Sequence, residues 1–138
     1  MLNHLYRYMP VTRWVKRLRP ARILEVGSGW QGMGPYVARN FVGCDPCLTS
    51  ANRPRGKAFF MAPVSGSACD LPFKSATFDL VVCLDMLEHI PAPLRQQAVV
   101  ELERVTRGTL ILGFPQGRRW ARWEERTAVW YQWTGRPV

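Results

Sequence analysis

The chain has 138 residues, of which 47% are hydrophobic, and a formal charge of +9 at neutral pH. This length suits one globular domain and is too short for two. No apolar run approaches the roughly 20 residues that span a bilayer, and the N-terminus lacks the apolar block of a signal peptide. We therefore expect a single cytoplasmic domain over residues 1–138.

The positive charge is concentrated at the two ends of the chain. Residues 1–22 hold six Lys or Arg and no acid, residues 23–114 hold eight of each sign, and residues 115–138 hold five bases and two acids. Basic ends can attract nucleic acid, an anionic membrane surface or an acidic substrate. A solvated basic surface explains the same charge without any of these partners, so both interpretations stay open.

The first 20 residues predict an amphipathic helix. Its apolar residues follow the helical spacing i, i+3, i+4 and i+7, and they are Val11, Trp14, Val15 and Leu18. After Pro20, residues 23–26 predict a short buried strand that runs into a glycine-rich turn. Helical spacing then resumes at Met33, so we expect a second helix that begins near Gly32.

Residues 22–114 predict the core of the domain. The strand at 23–26 is followed by four more candidate strands, at 41–45, 57–62, 78–84 and 109–114. A helix is expected over residues 93–107, with Gly108 as its stop. Strands that alternate with helices indicate a three-layer α/β, Rossmann-like fold with a mostly parallel sheet of about five strands.

The C-terminal segment, residues 115–138, is rich in tryptophan and arginine. We interpret it as an aromatic and basic helix that packs on the sheet. Stacking of nucleic-acid bases on its tryptophans is the alternative.

Four cysteines, at positions 44, 47, 69 and 83, could suggest a metal site. Only Cys44 and Cys47 have pair-like spacing, and zinc would need a second pair or histidines. His4 and His89 supply no such pattern. We predict reduced, structural cysteines and no bound metal.

A strand, a glycine-rich turn and an acid at the end of the next strand form a nucleotide-binding arrangement. Gly27 and Gly29 allow a tight turn and close approach of the backbone to a ligand. Asp45 would accept hydrogen bonds from a ribose diol. The glycine spacing fits a nicotinamide cofactor as well as S-adenosylmethionine. Glu25 favours the latter, because a carboxylate beside the loop would oppose a pyrophosphate but attract an ammonium.

The residues from Ile23 to Gly29 resemble the first motif of class I S-adenosylmethionine-dependent methyltransferases. Residues 68–73, 75–82 and 87–91 are similar to later motifs of the small-molecule-type methyltransferase domain family. The resemblance covers about residues 22 to 114, and it implies the cofactor S-adenosylmethionine and a methyl acceptor, most simply a small molecule.

The same resemblance implies a set of cofactor-binding residues. The methionine moiety would lie at Glu25, Gly27 and Gly29, the ribose at Asp45, and the adenine at Asp70 and Leu71. Leu84 and Asp85 would border the methionine end of the cofactor and the acceptor pocket, and Ser28 and Pro46 complete the cofactor-binding set. Asp79 is interpreted as a structural cap. His89 is a candidate general base, although a surface histidine is the commoner role, and no catalytic residue is assigned.

The family's sheet ordinarily has seven strands, and its last two form an antiparallel edge pair. Only 24 residues follow position 114, so we expect this edge to be missing. An exposed edge would favour self-association. It also leaves open a non-catalytic cofactor-binding module as an alternative to an active enzyme, and a nicotinamide-dependent oxidoreductase is the less favoured third possibility.

Overall fold

The computed structural model describes residues 2–48, 61–114 and 129–134. Its elements, in chain order, are α1 (Leu2–Leu18), β1 (Ile23–Val26), β2 (Phe41–Cys44), β3 (Met61–Val64), β4 (Phe78–Leu84), α2 (Ala92–Val105), β5 (Thr106–Phe114) and β6 (Val129–Thr134). A short 3-10 helix covers Leu87–His89 between β4 and α2. No helix in the described ranges is long and apolar enough to cross a membrane.

The strands form one sheet in the order β3-β2-β1-β4-β5-β6. Strands β1 to β5 run parallel to one another. The predicted α/β fold with a parallel sheet of about five strands is therefore confirmed. Because all five parallel strands point the same way, the loops that follow β1, β2 and β4 gather at one edge of the sheet.

The two helices cover opposite faces of this sheet. In β4, Leu80 and Val82 belong to the apolar cluster that contains α1, whereas Val81 and Cys83 belong to the cluster that contains α2. Such alternation has the two-residue period of a strand, and here both faces of the strand are buried. Burial on both sides explains why β4 appears in the sequence as a continuous apolar run.

The segment between β1 and β2 differs from the prediction. Residues 27–36 form a series of turns, with no regular helix beginning near Gly32. Three glycines there, at positions 27, 29 and 32, adopt positive φ angles of 79°, 51° and 45°, which a right-handed helix excludes. Pro35 removes one further backbone donor. This face of the sheet is instead covered by α1 together with Met33 and Val37.

The junction of α2 and β5 also differs from the prediction. Gly108 does not stop a helix: α2 ends at Val105 and β5 begins at Thr106, which places Gly108 inside the strand. A Cβ atom at Gly108 would lie 2.4 Å from the carbonyl oxygen of Asp79. The glycine is thus required by the close approach of β4, where the register shifts between Phe78 and Leu80.

The predicted C-terminal helix is wrong for residues 129–134, which form β6 antiparallel to β5. Valine, tryptophan, tyrosine and threonine favour strands, and the outer edge of β5 offers unpaired backbone groups that a further strand satisfies. At least one antiparallel edge strand is therefore present where the whole edge was expected to be missing, and the expected self-association stays a prediction. Residues 115–128 and 135–138 of the predicted helix lie outside the described residues, as do residues 57–60 of the third predicted strand.

Candidate functional site

A cavity of about 460 Å³ opens at the carboxyl ends of β1, β2 and β4. It is lined by the glycine turn, by strand-end residues and by one end of α1: Arg7, Tyr8, Gly27, Ser28, Gly29, Trp30, Gln31, Gly32, Pro35, Tyr36, Asp45, Leu84 and Asp85. The structure thus brings together six of the ten predicted cofactor-binding residues. The volume of the cavity lies within the range of about 300–1,000 Å³ that is typical of small-molecule sites.

The glycine turn is fixed to the neighbouring strand by its backbone. The amide of Gly27 donates to the carbonyl oxygen of Cys44 at 2.8 Å. A Cβ atom at Gly27 would lie 2.7 Å from Cγ of Met86, and its φ of 79° is unfavourable for other residues. At Gly29, φ is 51° and no atom lies within 4 Å of the point that a Cβ would occupy, so the turn presents open space to a ligand.

Asp45 links the turn to the end of β2. One carboxylate oxygen accepts from the amide of Gly29 at 3.0 Å, and the other accepts from the amide of Cys47 at 2.8 Å. Each oxygen keeps a further lone pair, because a carboxylate can accept about four hydrogen bonds. The side chain is therefore held in place while it retains the capacity to accept two hydroxyl groups from the cavity.

Glu25 is buried beneath the turn and does not line the cavity. Glu25 is only 1% exposed to solvent. Oε1 accepts from the hydroxyl of Tyr8 at 2.7 Å, and Oε2 accepts from the amide of Met33 at 2.6 Å. Burial raises the pKa of Glu25 from its ordinary value of 4.5 to about 7, against the opposing effect of these two hydrogen bonds. The carboxylate ties α1 and the turn to β1, while its predicted contact with a cofactor stays a prediction.

The first helix supplies a wall of the cavity that the sequence analysis missed. Tyr8 stacks on Tyr36 with 5.0 Å between ring centroids and 17° between ring planes. Arg7 forms an ion pair with Asp85 at the end of β4. The signal was available in part, because Tyr8 extends the apolar spacing of Val11 and Val15 by one helical turn.

Leu84 and Asp85 both line the cavity, and their contact with a cofactor stays a prediction. Asp85 has a φ of 45°, a left-handed conformation that aspartate tolerates better than most residues. Its amide donates to the carbonyl oxygen of Gly113 at 2.7 Å. Its Oδ1 is buried and has no hydrogen-bond partner among the described residues.

The remaining predicted residues, Pro46, Asp70 and Leu71, are not among those that line the cavity. The amide of Leu71, which was expected to address an adenine, donates to Glu101 at 2.8 Å, and the Leu71 side chain is in the core. Asp70 is exposed, and its amide donates to the carbonyl oxygen of Ser67 at 3.1 Å. Contacts of these three residues with a cofactor remain predictions.

Two other residues singled out from the sequence lie away from the cavity. One oxygen of Asp79 accepts from the amides of Ala21 and Arg22 at 3.0 and 2.9 Å, and the other is bonded to Arg107. These contacts give Asp79 the predicted role of a structural cap. His89 is exposed in the short 3-10 helix. Within the described ranges, no three His, Cys, Asp or Glu side chains are grouped as a metal site would need.

Comparison with known families decides between the cofactors that the glycine spacing left open. The family model described as a methyltransferase domain matches residues 24–112, which include β1, the glycine turn, Asp45 and all but the end of β5. The chain belongs to this methyltransferase domain family. The predicted family and its cofactor, S-adenosylmethionine, are thereby confirmed, and nothing in the match favours the nicotinamide alternative.

Solved structures of similar fold agree with this membership. A Pyrococcus horikoshii OT3 protein has 20% identity and a TM-score of 0.63, over 93% of this chain and 72% of its own. A Thermotoga maritima S-adenosylmethionine-dependent methyltransferase, described as a possible histamine N-methyltransferase, has 25% identity and a TM-score of 0.62, over 91% and 62%. Magnesium protoporphyrin IX methyltransferase from Synechocystis PCC 6803, solved with bound S-adenosylhomocysteine, has 18% identity and a TM-score of 0.65, over 89% and 61%.

The same comparisons give the share of each solved chain that this chain covers. The chain spans between 61% and 72% of the lengths of the three proteins. The matched part covers between 89% and 93% of this chain.

Proposed function

We propose that the chain transfers the methyl group of S-adenosylmethionine to a small-molecule nucleophile, with the cofactor bound in the cavity at the carboxyl edge of the sheet. The observation that carries the proposal is the joint lining of this cavity by the glycine turn, Asp45 and Asp85. Each of these elements matches one chemical feature of the cofactor.

The cavity supplies acceptors where the cofactor has donors. Asp45, held by two backbone amides, would receive the ribose hydroxyls. The glycine turn allows the backbone to approach a ligand closely. Asp85 is paired with Arg7 through one oxygen, and its other oxygen is buried without a partner among the described residues. Such an atom is suited to a further donor, because a buried polar atom without a hydrogen bond is costly. The residues present therefore fit the cofactor.

The chemistry asks little more of the protein than placement. Bound S-adenosylmethionine supplies an electrophilic methyl group on a sulfonium; transfer breaks its carbon–sulfur bond and forms a bond to the acceptor, which gives up its proton. The protein must align the acceptor and limit water. Because methyl transfer depends mainly on placement of the nucleophile, we propose an acceptor whose proton passes to solvent.

A basic groove favours nucleic acid as a second candidate acceptor. Lys16, Arg19 and Arg39 line a groove of about 410 Å³ between α1 and residues 36–39, and no acid is part of its described lining. A polyanion would be attracted there. Salt-dependent retention on RNA that is lost when these three cations are replaced by glutamine would favour this candidate over a small molecule.

Titration calorimetry tests the cofactor assignment, with S-adenosylhomocysteine and NAD as the two ligands. We expect binding of S-adenosylhomocysteine and none of NAD, and Asp45→Ala serves as the variant that should lose affinity. Preferential binding of NAD would overturn the proposal. Methyl transfer is then measured from labelled S-adenosylmethionine to a panel of small nucleophiles and to RNA. Binding of the cofactor without transfer to any acceptor would favour the non-catalytic module.

A further inference from the structure

The basic groove between α1 and residues 36–39 is a recess separate from the proposed cofactor cavity. Its lining comes from the C-terminal half of α1 and from the segment that precedes β2. In the described linings, Tyr36 alone belongs to both the groove and the cavity. A ligand in the groove therefore leaves the glycine turn and Asp45 free.

The groove combines buried apolar residues with exposed cations. Val15 and Val37 are each 4% exposed, whereas Lys16, Arg19 and Arg39 are exposed. A ligand with an apolar part and an anionic part gains from both, because it covers apolar surface while its charge meets the cations. Small-molecule sites have the same combination of apolar lining and a few polar groups.

The three cations of the groove have no carboxylate partner among the described residues. Other arginines of the same ranges, Arg7, Arg104 and Arg107, are each paired with an acid. Like charges that converge without an acid repel one another, and a bound anion removes this repulsion. Cations near the end of a helix also complement its dipole. That role accounts for Lys16, in the last turn of α1, but not for Arg39.

Arg19 has a backbone conformation that is unfavourable for its residue type. It follows the last residue of α1, has a φ of 48°, and its amide donates to the carbonyl oxygen of Val15 at 3.0 Å. Helices commonly end in this left-handed conformation with a glycine, because a Cβ atom makes it costly. Strained residues of this kind cluster at functional sites. The strain at Arg19 thus places a cation where glycine would end the helix more easily.

The lining favours a small ligand over a nucleic-acid strand. Single-stranded nucleic acids are bound by charged grooves that also offer aromatic faces to successive bases. Tyr36 is the aromatic residue of the described lining, and Tyr8 already stacks on it. The volume of about 410 Å³ is that of a site for one small ligand.

We propose that the groove is a second binding site, for the phosphate monoester of a small organic molecule. The phosphoryl group contacts Lys16, Arg19 and Arg39, and the organic part lies on Val15 and Val37. A monoester carries a charge of about −1.5 to −2 at neutral pH, and its three terminal oxygens provide an acceptor for each cation. This site goes beyond the proposed methyl transfer and requires no bound cofactor.

Titration calorimetry with phenyl phosphate tests the site in the chain without cofactor. Inorganic phosphate lacks the organic part and phenol lacks the phosphoryl group, so both should bind more weakly than phenyl phosphate. Lys16→Gln and Arg39→Gln should each reduce the affinity for phenyl phosphate by about 2- to 5-fold, as for exposed ion pairs. Arg13→Gln, which changes an exposed arginine of α1 outside the groove, is the matched control and should have no effect.

Two substitutions at Arg19 separate ligand binding from stability. Arg19→Gly and Arg19→Gln should both weaken the binding of phenyl phosphate by about 2- to 5-fold. Arg19→Gly should also unfold at a higher urea concentration than the wild type, because glycine relieves the left-handed strain, whereas Arg19→Gln keeps this strain. Wild-type affinity in both variants, or no rise in the urea midpoint for Arg19→Gly, would contradict the role given to Arg19.

The remaining outcomes distinguish this site from the cofactor cavity. S-adenosylhomocysteine should not displace phenyl phosphate, and Asp45→Ala should bind phenyl phosphate as the wild type does. Displacement, or unchanged affinity when all three cations are replaced by glutamine, would overturn the inference. Binding of a short single-stranded RNA through these cations, with no binding of phenyl phosphate, would overturn it as well. Absence of S-adenosylhomocysteine binding would defeat the proposed function, while phenyl phosphate binding through the three cations would still support this site.

Discussion

The buried carboxylate of Glu25 makes the stability of the fold depend on pH in an unusual direction. Glu25 is 1% exposed, and burial raises its pKa from 4.5 to about 7 in the folded chain. Between these values the folded chain binds a proton that the unfolded chain has released. The free energy of unfolding must therefore fall as the pH rises from about 4.5 to about 7.

The substitution Glu25→Gln isolates this effect. A pKa difference of one is worth about 1.4 kcal/mol, so the change from 4.5 to about 7 corresponds to about 3 kcal/mol. The glutamine side chain does not titrate, and its amide can still accept from Met33 and donate to the oxygen of Tyr8. We expect the wild-type chain to lose about 3 kcal/mol of stability relative to this variant as the pH rises through that range.

Urea unfolding followed by tryptophan fluorescence, at several pH values from 4.5 to 8, measures the difference between the two proteins. Taking this difference cancels the other titrating groups. Gln96→Ala, which changes an exposed residue of α2 without a titratable group, is the control and should give a flat difference. A flat difference for Glu25→Gln, or one in which the wild type gains stability with pH, would refute the reasoning.

Three further predictions concern the same end of the sheet. Asp45→Ala should remain folded and bind S-adenosylhomocysteine about 10- to 100-fold more weakly, and unchanged affinity by calorimetry would contradict its assignment to the ribose. Gly32→Ala should lower the free energy of unfolding, measured in urea, by about 3 kcal/mol, and Gly29→Ala should lower it by about 1 kcal/mol. Both glycines have positive φ, but a Cβ atom at Gly32 would lie 2.1 Å from Glu25 Oε2, whereas a Cβ atom at Gly29 would have no atom within 4 Å. Tyr8→Phe should lower the free energy of unfolding by about 1.5–3 kcal/mol at pH 8 and by less at pH 5, because the lost hydroxyl donates to the charged form of Glu25. An equal loss at both pH values would count against this reasoning.

Strands β1 and β4 were predictable because their burial is reflected in their local composition. In β4, burial on both faces requires a continuous apolar run, which is typical of a central parallel strand. Asp45 could be found for a related reason. It follows a strand that lies beside β1, so strand order alone brings it to the glycine turn.

Of the features that the sequence analysis missed, one depends on the local backbone and two depend on distant contacts. The apolar spacing at Met33 predicted a helix, but three positive φ angles override it. Nothing local indicates that Gly108 lies against Asp79, because that contact joins β5 to β4. The spacing of α1 showed which side of the helix is buried, but not that its N-terminal half would reach the cavity.

The placement of α1 has a consequence for the order of events during synthesis on the ribosome. Val11 packs in a cluster with Leu80 of β4 and Ile111 of β5. Ile111 leaves the ribosome about 100 residues after Val11. At about 5–20 residues per second this interval lasts on the order of 5–20 s. During that time the apolar side of the helix cannot complete its contacts with the sheet, so it stays available to chaperones. The wall that carries Arg7 and Tyr8 is therefore translated before the described strands and reaches its place only after the central strands have emerged.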